Sequence, residues 1–449
     1  MQLLPALIAA ALLIAGNARA EADNADLFAP SSAALLGDAA GLRPALAQVG
    51  ISLTLTDINE IFGNLAGGIK RGAAYEGLST LTLQLDTQKA FGVDGGLVNV
   101  SALQIRGRNF SQIYVGDLQT TSGIAATPST RLWEAWYQQQ VVEGKLDLRI
   151  GMQSLDQEFM VSAGSAMFLN TMTGWPMVPS ADLYAGGPAY PLSSLGARLR
   201  AQLGDVTILV GAFQDNPPGG PFANDGQVRG ASRWGGNVSL RTGALFIGEI
   251  QYAAKPALPG AYKVGFWYDT AGFPDQRIDT RGLSLAAPGS SGVARTDRGN
   301  FSVYAVADQT IWQPDPEGPR ALSVFLRPMI APSDRNLVSF SVNGGATLKA
   351  PLPGRDGDTF GLGFGVASIG SSAGGLAQDL ARFSGTYVAN RGPETFAELT
   401  YQAQIAGWWQ IQPDIQYRWR TAGGAADPNR PGKALGNALI VGVRSTVNF

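Results

Sequence analysis

The stretch that most restricts the fold is the end of the chain, Glu394–Phe449, which reads as three antiparallel strands of period-two character. In Trp409–Arg420 the odd positions are Trp409, Ile411, Pro413, Ile415, Tyr417 and Trp419, and the even ones are Gln410, Gln412, Asp414, Gln416, Arg418 and Arg420. Strand side chains point to opposite faces in turn, so one face is apolar with aromatic ends and the other is polar and charged. The last strand repeats this, with Leu439, Val441, Val443, Val447 and Phe449 opposite Arg444, Thr446 and Asn448. A soluble sandwich alternates too, but its apolar face is the core. Here the chain stops on an aromatic residue with no polar tail to cover it. Apolar-out, polar-in strands with aromatics at their ends are what a transmembrane barrel needs at its two lipid–water girdles. The expected fold is all-β, a transmembrane antiparallel β-barrel whose closing strands are these three.

The N-terminus points to the same compartment. Met1–Ala20 carries an apolar run, Leu3–Ala15, then Ala18-Arg19-Ala20 before Glu21, an A-x-A cleavage pattern without a charged n-region. We read residues 1–20 as a signal peptide for export to the Gram-negative outer membrane. The apolar run is shorter than the roughly 20 residues of a spanning helix, and no later stretch of that length stays apolar. Any crossing by the rest must use a closed barrel, which satisfies every backbone group between strands.

Without Met1–Ala20 the chain has 32 basic and 35 acidic residues, a balance that suggests no nucleic-acid partner. The absence of cysteine gives no disulfide framework and no thiolate chemistry. The absence of histidine removes the commonest general base and zinc ligand. The 58 Gly and 26 Pro, without a collagen-like period, fit many short strands joined by turns.

Read in order, Glu21–Pro30 looks flexible, and Ser32–Gln48 has a helical stripe that Pro44 interrupts and Gly50 ends. We take residues 21–50 as a periplasmic segment with a short helix, and residues 51–449 as the barrel. Strands are expected at Ile51–Ile61, Leu78–Asp86 and Gly96–Arg106, the last with a phase slip near Ala102–Leu103. Two hairpins follow, Leu132–Val142 with Lys145–Gln153, and Gly196–Leu203 with Val206–Gln214. Further candidates are Arg233–Arg241, Ala244–Ala254, Ala261–Asp269, Asn300–Trp312, Arg320–Ala331, Leu337–Lys349 and Thr359–Ser368, before the three closing strands. That makes 17 candidates, whereas single-chain bacterial barrels have even counts. Tracing from both ends clashes at Arg233–Asp269, so either one strand there is spurious or one is hidden in Thr270–Gly299. The expectation is 16 strands, with 18 as the alternative.

The longest connection in the first half, Ser154–Leu195, opens with a short helix expected at Leu155–Ala163. A structureless insert of this length is usually functional. In a water-filled barrel it can fold inward as a constriction loop; a cap lying outside is the alternative.

Several stretches resemble the carbohydrate-selective porins of Gram-negative outer membranes. They are Leu35–Leu53, Ser162–Trp175 (SAGSAMFLNTMTGW), Gly260–Tyr268 (GAYKVGFWY), Asp308–Trp312, Glu398–Tyr417 (ELTYQAQIAGWWQIQPDIQY) and Ala438–Phe449. The likeness runs through nearly all the mature chain and is most specific in the closing stretch. It implies a barrel of about 16 strands whose constricted lumen passes glucose and related small sugars by diffusion. Two departures are visible: Asp38-Ala39-Ala40 lacks the family's usual tryptophan, and Asp269 stands where a histidine is expected.

Sugar passage needs a flat apolar surface for the ring and charged or amide groups that replace water on its hydroxyls without holding too tightly. Glu134, Asp147, Arg149, Arg198 and Arg200, on strands flanking the long loop, can supply the polar groups, as can Arg106 elsewhere on the ring. Glu249, Arg327, Glu398, Arg418 and Arg444 are further polar-face residues. Trp136, sharing the polar face with Glu134 and Gln138, suits a sugar platform, and Trp175 in the loop is a second one. Taken singly, each is equally well read as lumen solvation or an internal ion pair.

No cofactor or metal is expected. The repeat Gly361-x-Gly363-x-Gly365 lacks the following helix and acidic partner of a dinucleotide site, and Asp315-Pro316-Glu317 reads as a turn rather than a calcium loop. A barrel hydrolase would want a histidine-activated nucleophile, which this chain does not have. A purely structural barrel fits poorly with amide- and Arg-rich inner faces. A general or anion-selective porin is the real competitor, and the acidic residues among the arginines count against it. The expected partners are small sugars and outer-membrane lipid, with no nucleic acid, in a monomer or homotrimer.

Overall fold

The computed structural model describes residues 32–219, 234–254, 258–385, 391–430 and 432–449. The expected signal peptide and the stretch Glu21–Pro30, which the sequence reads as flexible, lie outside the described residues. Strands occupy β1 (Ile51–Gly68), β2 (Gly72–Asp86), β3 (Gly96–Gly107), β4 (Ser129–Val142), β5 (Leu146–Gln153), β6 (Ser194–Leu203), β7 (Val206–Gln214) and β8 (Ala244–Ala254). The second half adds β9 (Gly260–Asp279), β10 (Ala294–Trp312), β11 (Ala321–Ile330), β12 (Val338–Lys349), β13 (Thr359–Ile369), β14 (Glu394–Ala406), β15 (Trp409–Trp419) and β16 (Gly436–Asn448). Each pairs antiparallel with its sequence neighbours, and β1 pairs with β16 through Asp57↔Val447 and Phe62↔Gly442, so the sheet closes with no free edge. No helix among the described residues is long and apolar enough to span a membrane. The span is made by the barrel.

The two-residue period decides which side chain meets what. On β9, Val264 and Phe266 are 60% and 52% exposed on the outer face, while the inward Trp267 is 0% exposed. On β15 the outward set includes Ile415 and Trp419, and the inward set Gln412, Asp414, Gln416 and Arg418 is buried. The outer face is the lipid surface, and the inner one is covered by protein that has folded into the lumen.

The seventeenth candidate, Arg233–Arg241, is not a strand. Its described part, residues 234–241, is irregular, and Gly235 and Gly236 both take left-handed backbone conformations (φ 73° and 74°) that break an extended run. Thr270–Gly299 hides no further strand either, because β9 and β10 simply run on to Asp279 and from Ala294. The N-terminal helix is shorter than expected, Leu42–Gln48, with Pro44 in its first turn, where a missing N–H costs nothing. This segment ties the chain ends together. Leu35 N donates to Asn448 O at 2.7 Å, Phe449 N to Leu55 O at 2.9 Å, and the Arg43 guanidinium to Phe449 O.

The long connection between β5 and β6 crosses the lumen, as a constriction loop should. It holds the short turn Leu155–Gln157 in place of the longer helix expected there, and helices at Thr171–Gly174 and Met177–Asp182. Its tethers come from strands β8 to β14, reaching to the far wall. Met160 N donates to Glu249 on β8 (2.8 Å), Lys263 Nζ on β9 to Val161 O (2.7 Å), and Ser162 Oγ to Asp308 on β10 (2.6 Å). Arg327 on β11 donates to the carbonyls of Met160, Met172, Thr173 and Gly174 at 2.6–3.0 Å. Glu398 on β14 accepts from Leu169 N (2.6 Å) and Asn170 N (3.2 Å). Glycines on β13 make room for this packing: a Cβ at Gly363 would sit 2.8 Å from the Phe168 ring. Of the apparent dinucleotide glycines, Gly361 and Gly363 are contact surface for the loop, and Gly365 leaves room for the Phe396 ring and Gln119.

Among the features not expected from sequence, two connections stand out. The β3–β4 connection also turns inward, where Glu394 accepts from Leu118 N and Gln119 N, and Arg418 holds Asp117 (3.1 Å) and Gln119 O (2.9 Å). The β13–β14 connection carries a helix, Ser371–Ser384, docked on β9 through Arg277–Asp379 at 2.8 Å.

Candidate functional site

Beside the root of the constriction loop, β4, β5 and β6 place Gln138, Arg149 and Arg198 in one cross-strand row on the lumen face. Asp147 lies one inward position away on β5, and Trp136 one inward position away on β4. The loop adds Glu158. Arg198 clasps Glu158 with two hydrogen bonds, Nε at 2.7 Å and Nη2 at 2.8 Å, and also pairs with Asp147 through Nη1. Arg149 Nη2 lies 3.3 Å from the same Glu158 carboxylate and donates, with Nε, to Gln138 Oε1 at 2.8 and 3.0 Å. The Arg149 guanidinium stacks over the Trp136 ring, 4.0 Å from its centroid. Within this cluster on the lumen wall, Arg149 and Arg198 are matched by Glu158 and Asp147. Arg149, Glu158 and Asp147 keep side-chain exposures of 15%, 20% and 12%, whereas Arg198 is sealed at 1%.

Local backbone chemistry makes the stack fit. Gly151 is the register partner of Trp136 and takes φ +136°, and a Cβ there would come within 2.9 Å of Trp136 Cβ. Glu134 sits under the loop root and accepts from Ser154 N at 3.0 Å. Within the loop, burial raises the Asp156 carboxyl above its ordinary value, against hydrogen bonds from Ser154 Oγ (2.6 Å) and Tyr190 N (3.0 Å). Burial likewise pushes Asp182 well up and the Tyr184 phenol up to about 12.

Five of the residues singled out from sequence therefore meet here: Glu134, Trp136, Asp147, Arg149 and Arg198. Arg200 shares their face, one inward position from Arg198 and in register with Asp147, and is exposed. Trp175 lies inside the loop, 6% exposed, its Nε1 donating to Gly186 O at 2.8 Å, so its ring is packed rather than open. Arg106 is on the other side of the wall. The bulge expected on β3 is on β4, where Ser101↔Glu134 is followed by Ala102↔Leu132, so β3 keeps its parity and Arg106 faces outward. Arg327, Glu398, Glu249 and Arg418 hold loops, and Arg444 pairs with Glu60 at 2.5 Å. Glu158 and Gln138 were not singled out; Glu158's position in the long insert was the available signal.

Comparisons with known proteins agree with this architecture. Residues 70–449 match the family described as carbohydrate-selective porin, OprB family. Porin B of Pseudomonas aeruginosa is 25% identical over 446 residues, covering 95% of this chain and 93% of that protein. A putative porin, QuiX, of Acinetobacter baylyi is 22% identical over 442 residues, covering 92% and 93%. The high-pH structure of Pseudomonas putida OprB superposes with a TM-score of 0.81 at 24% identity, covering 94% of this chain and 100% of that one, which supports the fold. With the family matched over most of its length, a closed 16-stranded barrel and an inward loop, this chain belongs to the carbohydrate-selective porins of the outer membrane.

Proposed function

We propose that the chain passes glucose and related small sugars across the outer membrane by diffusion, and that the Trp136–Arg149–Glu158 cluster is where they are recognised. The observation carrying this is the stacked Arg149 guanidinium. Trp136, Gln138 and Glu158 hold it in place, yet its Nη1 has no acceptor among the described residues. A sugar hydroxyl can accept from that Nη1 and donate to Glu158 or Asp147, exchanging its water for groups already oriented. Because both carboxylates already share their charge with Arg198, the hold stays weak enough for release. In this reading Trp136 supports the arginine, and the sugar meets the arginine's edge. Arg200 extends the polar wall, Glu134 fixes the loop root and Trp175 its interior.

The N-terminal Met1–Ala20 would be removed on export. The barrel and its family point to a channel rather than an enzyme. A general or anion-selective porin is the competing reading, and the balance of Arg149 and Arg198 by Glu158 and Asp147 weighs against it. Single-channel conductance in planar bilayers, titrated with glucose and then maltose oligomers, tests the proposal. Saturable block of ion current, weakened in Arg149→Ala, is the expected result. Conductance indifferent to sugar, with strong anion preference, would overturn it.

A further inference from the structure

Arg200, on the lumen wall, has no hydrogen bond or ion pair among the described residues. It shares a cross-strand row with Asp147 on β5, Leu209 on β7 and Glu249 on β8. Those three are covered, at 8%, 3% and 2% exposure. Asp147 is held by Arg198. Leu209 packs in the apolar cluster with Leu155, Phe159 and Met160 of the constriction loop. Glu249 accepts from Met160 N at 2.8 Å, from Tyr304 Oη at 2.9 Å and from Gln251 Nε2 at 2.6 Å. Toward the β6–β7 turn, Gln202 is occupied by Thr207 Oγ1 (2.6 Å) and by Gly204 O (2.7 Å). Arg200 stays exposed between these covered neighbours, at the edge of the loop, with its guanidinium open to the passage.

The charges around it are already matched. Glu158 and Asp147 offset Arg149 and Arg198, so Arg200 leaves one positive charge over beside the cluster. Same-face positions two residues apart on a strand are separated by roughly 7 Å, which sets Arg200 about one sugar ring from the row of Arg149 and Arg198. A neutral sugar offers a lone guanidinium only a hydroxyl, which water replaces equally well. A ring bearing a carboxylate offers more. The planar carboxylate accepts two parallel N–H bonds from the arginine fork while a hydroxyl across the ring accepts from Arg149 Nη1. A dianionic phosphate would face Asp147 and Glu158 with only one surplus charge to meet it, whereas a monoanion is matched one to one. We propose that the channel favours small sugars carrying a single carboxylate, such as uronates, over their neutral counterparts, and that Arg200 is the residue that selects them. This selectivity rests on the Trp136–Arg149–Glu158 cluster being the sugar site, and adds to it the charge class of the preferred solute.

Glucose and glucuronate share a ring and differ at one carbon, so the pair isolates the carboxylate. In planar bilayers at about 0.1 M KCl, glucuronate should block the ion current about fivefold more tightly than glucose, the size of a charge-assisted pair that stays open to water. The ratio should fall toward one as salt is raised to about 1 M. Arg200→Gln should bring the ratio to about one at low salt, and Arg200→Lys, which keeps the charge without the fork, should leave it in between. Acetate, a carboxylate without a ring, should not block. Both variants should keep the wild-type heat-modifiable gel migration, because Arg200 bonds to nothing in the wall. Equal block by the two sugars in the wild type, a preference that survives Arg200→Gln, or block by acetate as strong as by glucuronate would each overturn the proposal. A glucose block that stands beside an equal glucuronate block sinks only the role of Arg200. Block by neither sugar sinks the cluster as the sugar site, and the selectivity with it.

Discussion

Arg149 and Trp136 are held face to face, guanidinium 4.0 Å from ring centroid, on a diagonal between two register rows, where Gly151, the partner of Trp136, supplies the space. The stack fixes the arginine's edge toward the lumen. Trp136→Ala leaves Arg149 charged but loose, so sugar block of ion current should weaken by about five- to tenfold, the worth of a partly buried cation–π contact. Conductance without sugar should change far less. Current-noise analysis with glucose checks both.

Glu158 is shared by Arg149 and Arg198. Glu158→Gln keeps its shape and removes its charge, leaving the cluster with a net positive charge beside the passage. At lumen distances of a few ångströms, one unit charge in a water-like medium is worth about 1 kcal/mol, so anion preference should rise about fivefold. Reversal potentials in a KCl gradient measure it.

Arg327 is buried and donates to four loop carbonyls. Arg327→Ala strands those acceptors and should cost about 3 kcal/mol of loop anchoring. The expected signs are a larger, noisier conductance and chymotryptic cleavage within the loop at Phe168 or Trp175. An unchanged conductance step and a resistant loop would contradict the tethering role.

Asp182 is raised by burial, one of its oxygens being without a partner and the other accepting from Val338 N at 3.3 Å. A carboxyl with a raised folded value keeps its proton longer folded than unfolded. Its penalty is therefore absent below the ordinary 3.8 and grows as pH rises from there toward the raised value. Asp182→Asn should match wild type in thermal stability near pH 3 and exceed it at pH 7–8 by about 1 kcal/mol, the cost of an unsatisfied buried acceptor. A variant less stable than wild type at neutral pH would contradict this.

Much of this was legible in the chain because a two-residue period is unforgiving: Trp409–Arg420 fixes inside and outside with no structure in hand. Counting failed where local character imitated a strand, at Val238 and Leu240, since pattern does not register two successive left-handed glycines. Arg106 is misread from sequence because Leu103 and Ile105, apolar like a lipid face, in fact turn inward and pack against Ile124, which leaves the polar Gln104 and Arg106 outside. Glu158 was invisible for a different reason. Its partners, Arg149 and Arg198, belong to the wall, and only the fold of the loop brings it to them. The polar faces showed which residues turn inward, but not which are spent holding loops, as Arg327 and Glu398 are.

The loop is fastened to strands running from near its root across to the far wall, from Glu249 on β8 round to Glu398 on β14. It is a strut rather than a flap. A strut keeps the aperture the same width whichever way a solute travels and however crowded the mouth becomes. Net flux should then follow the sugar gradient alone, saturating as the narrow point fills, with no threshold to open and no latch to reset. Under scarcity, the traffic such a passage carries would be set by how quickly the cell consumes what arrives.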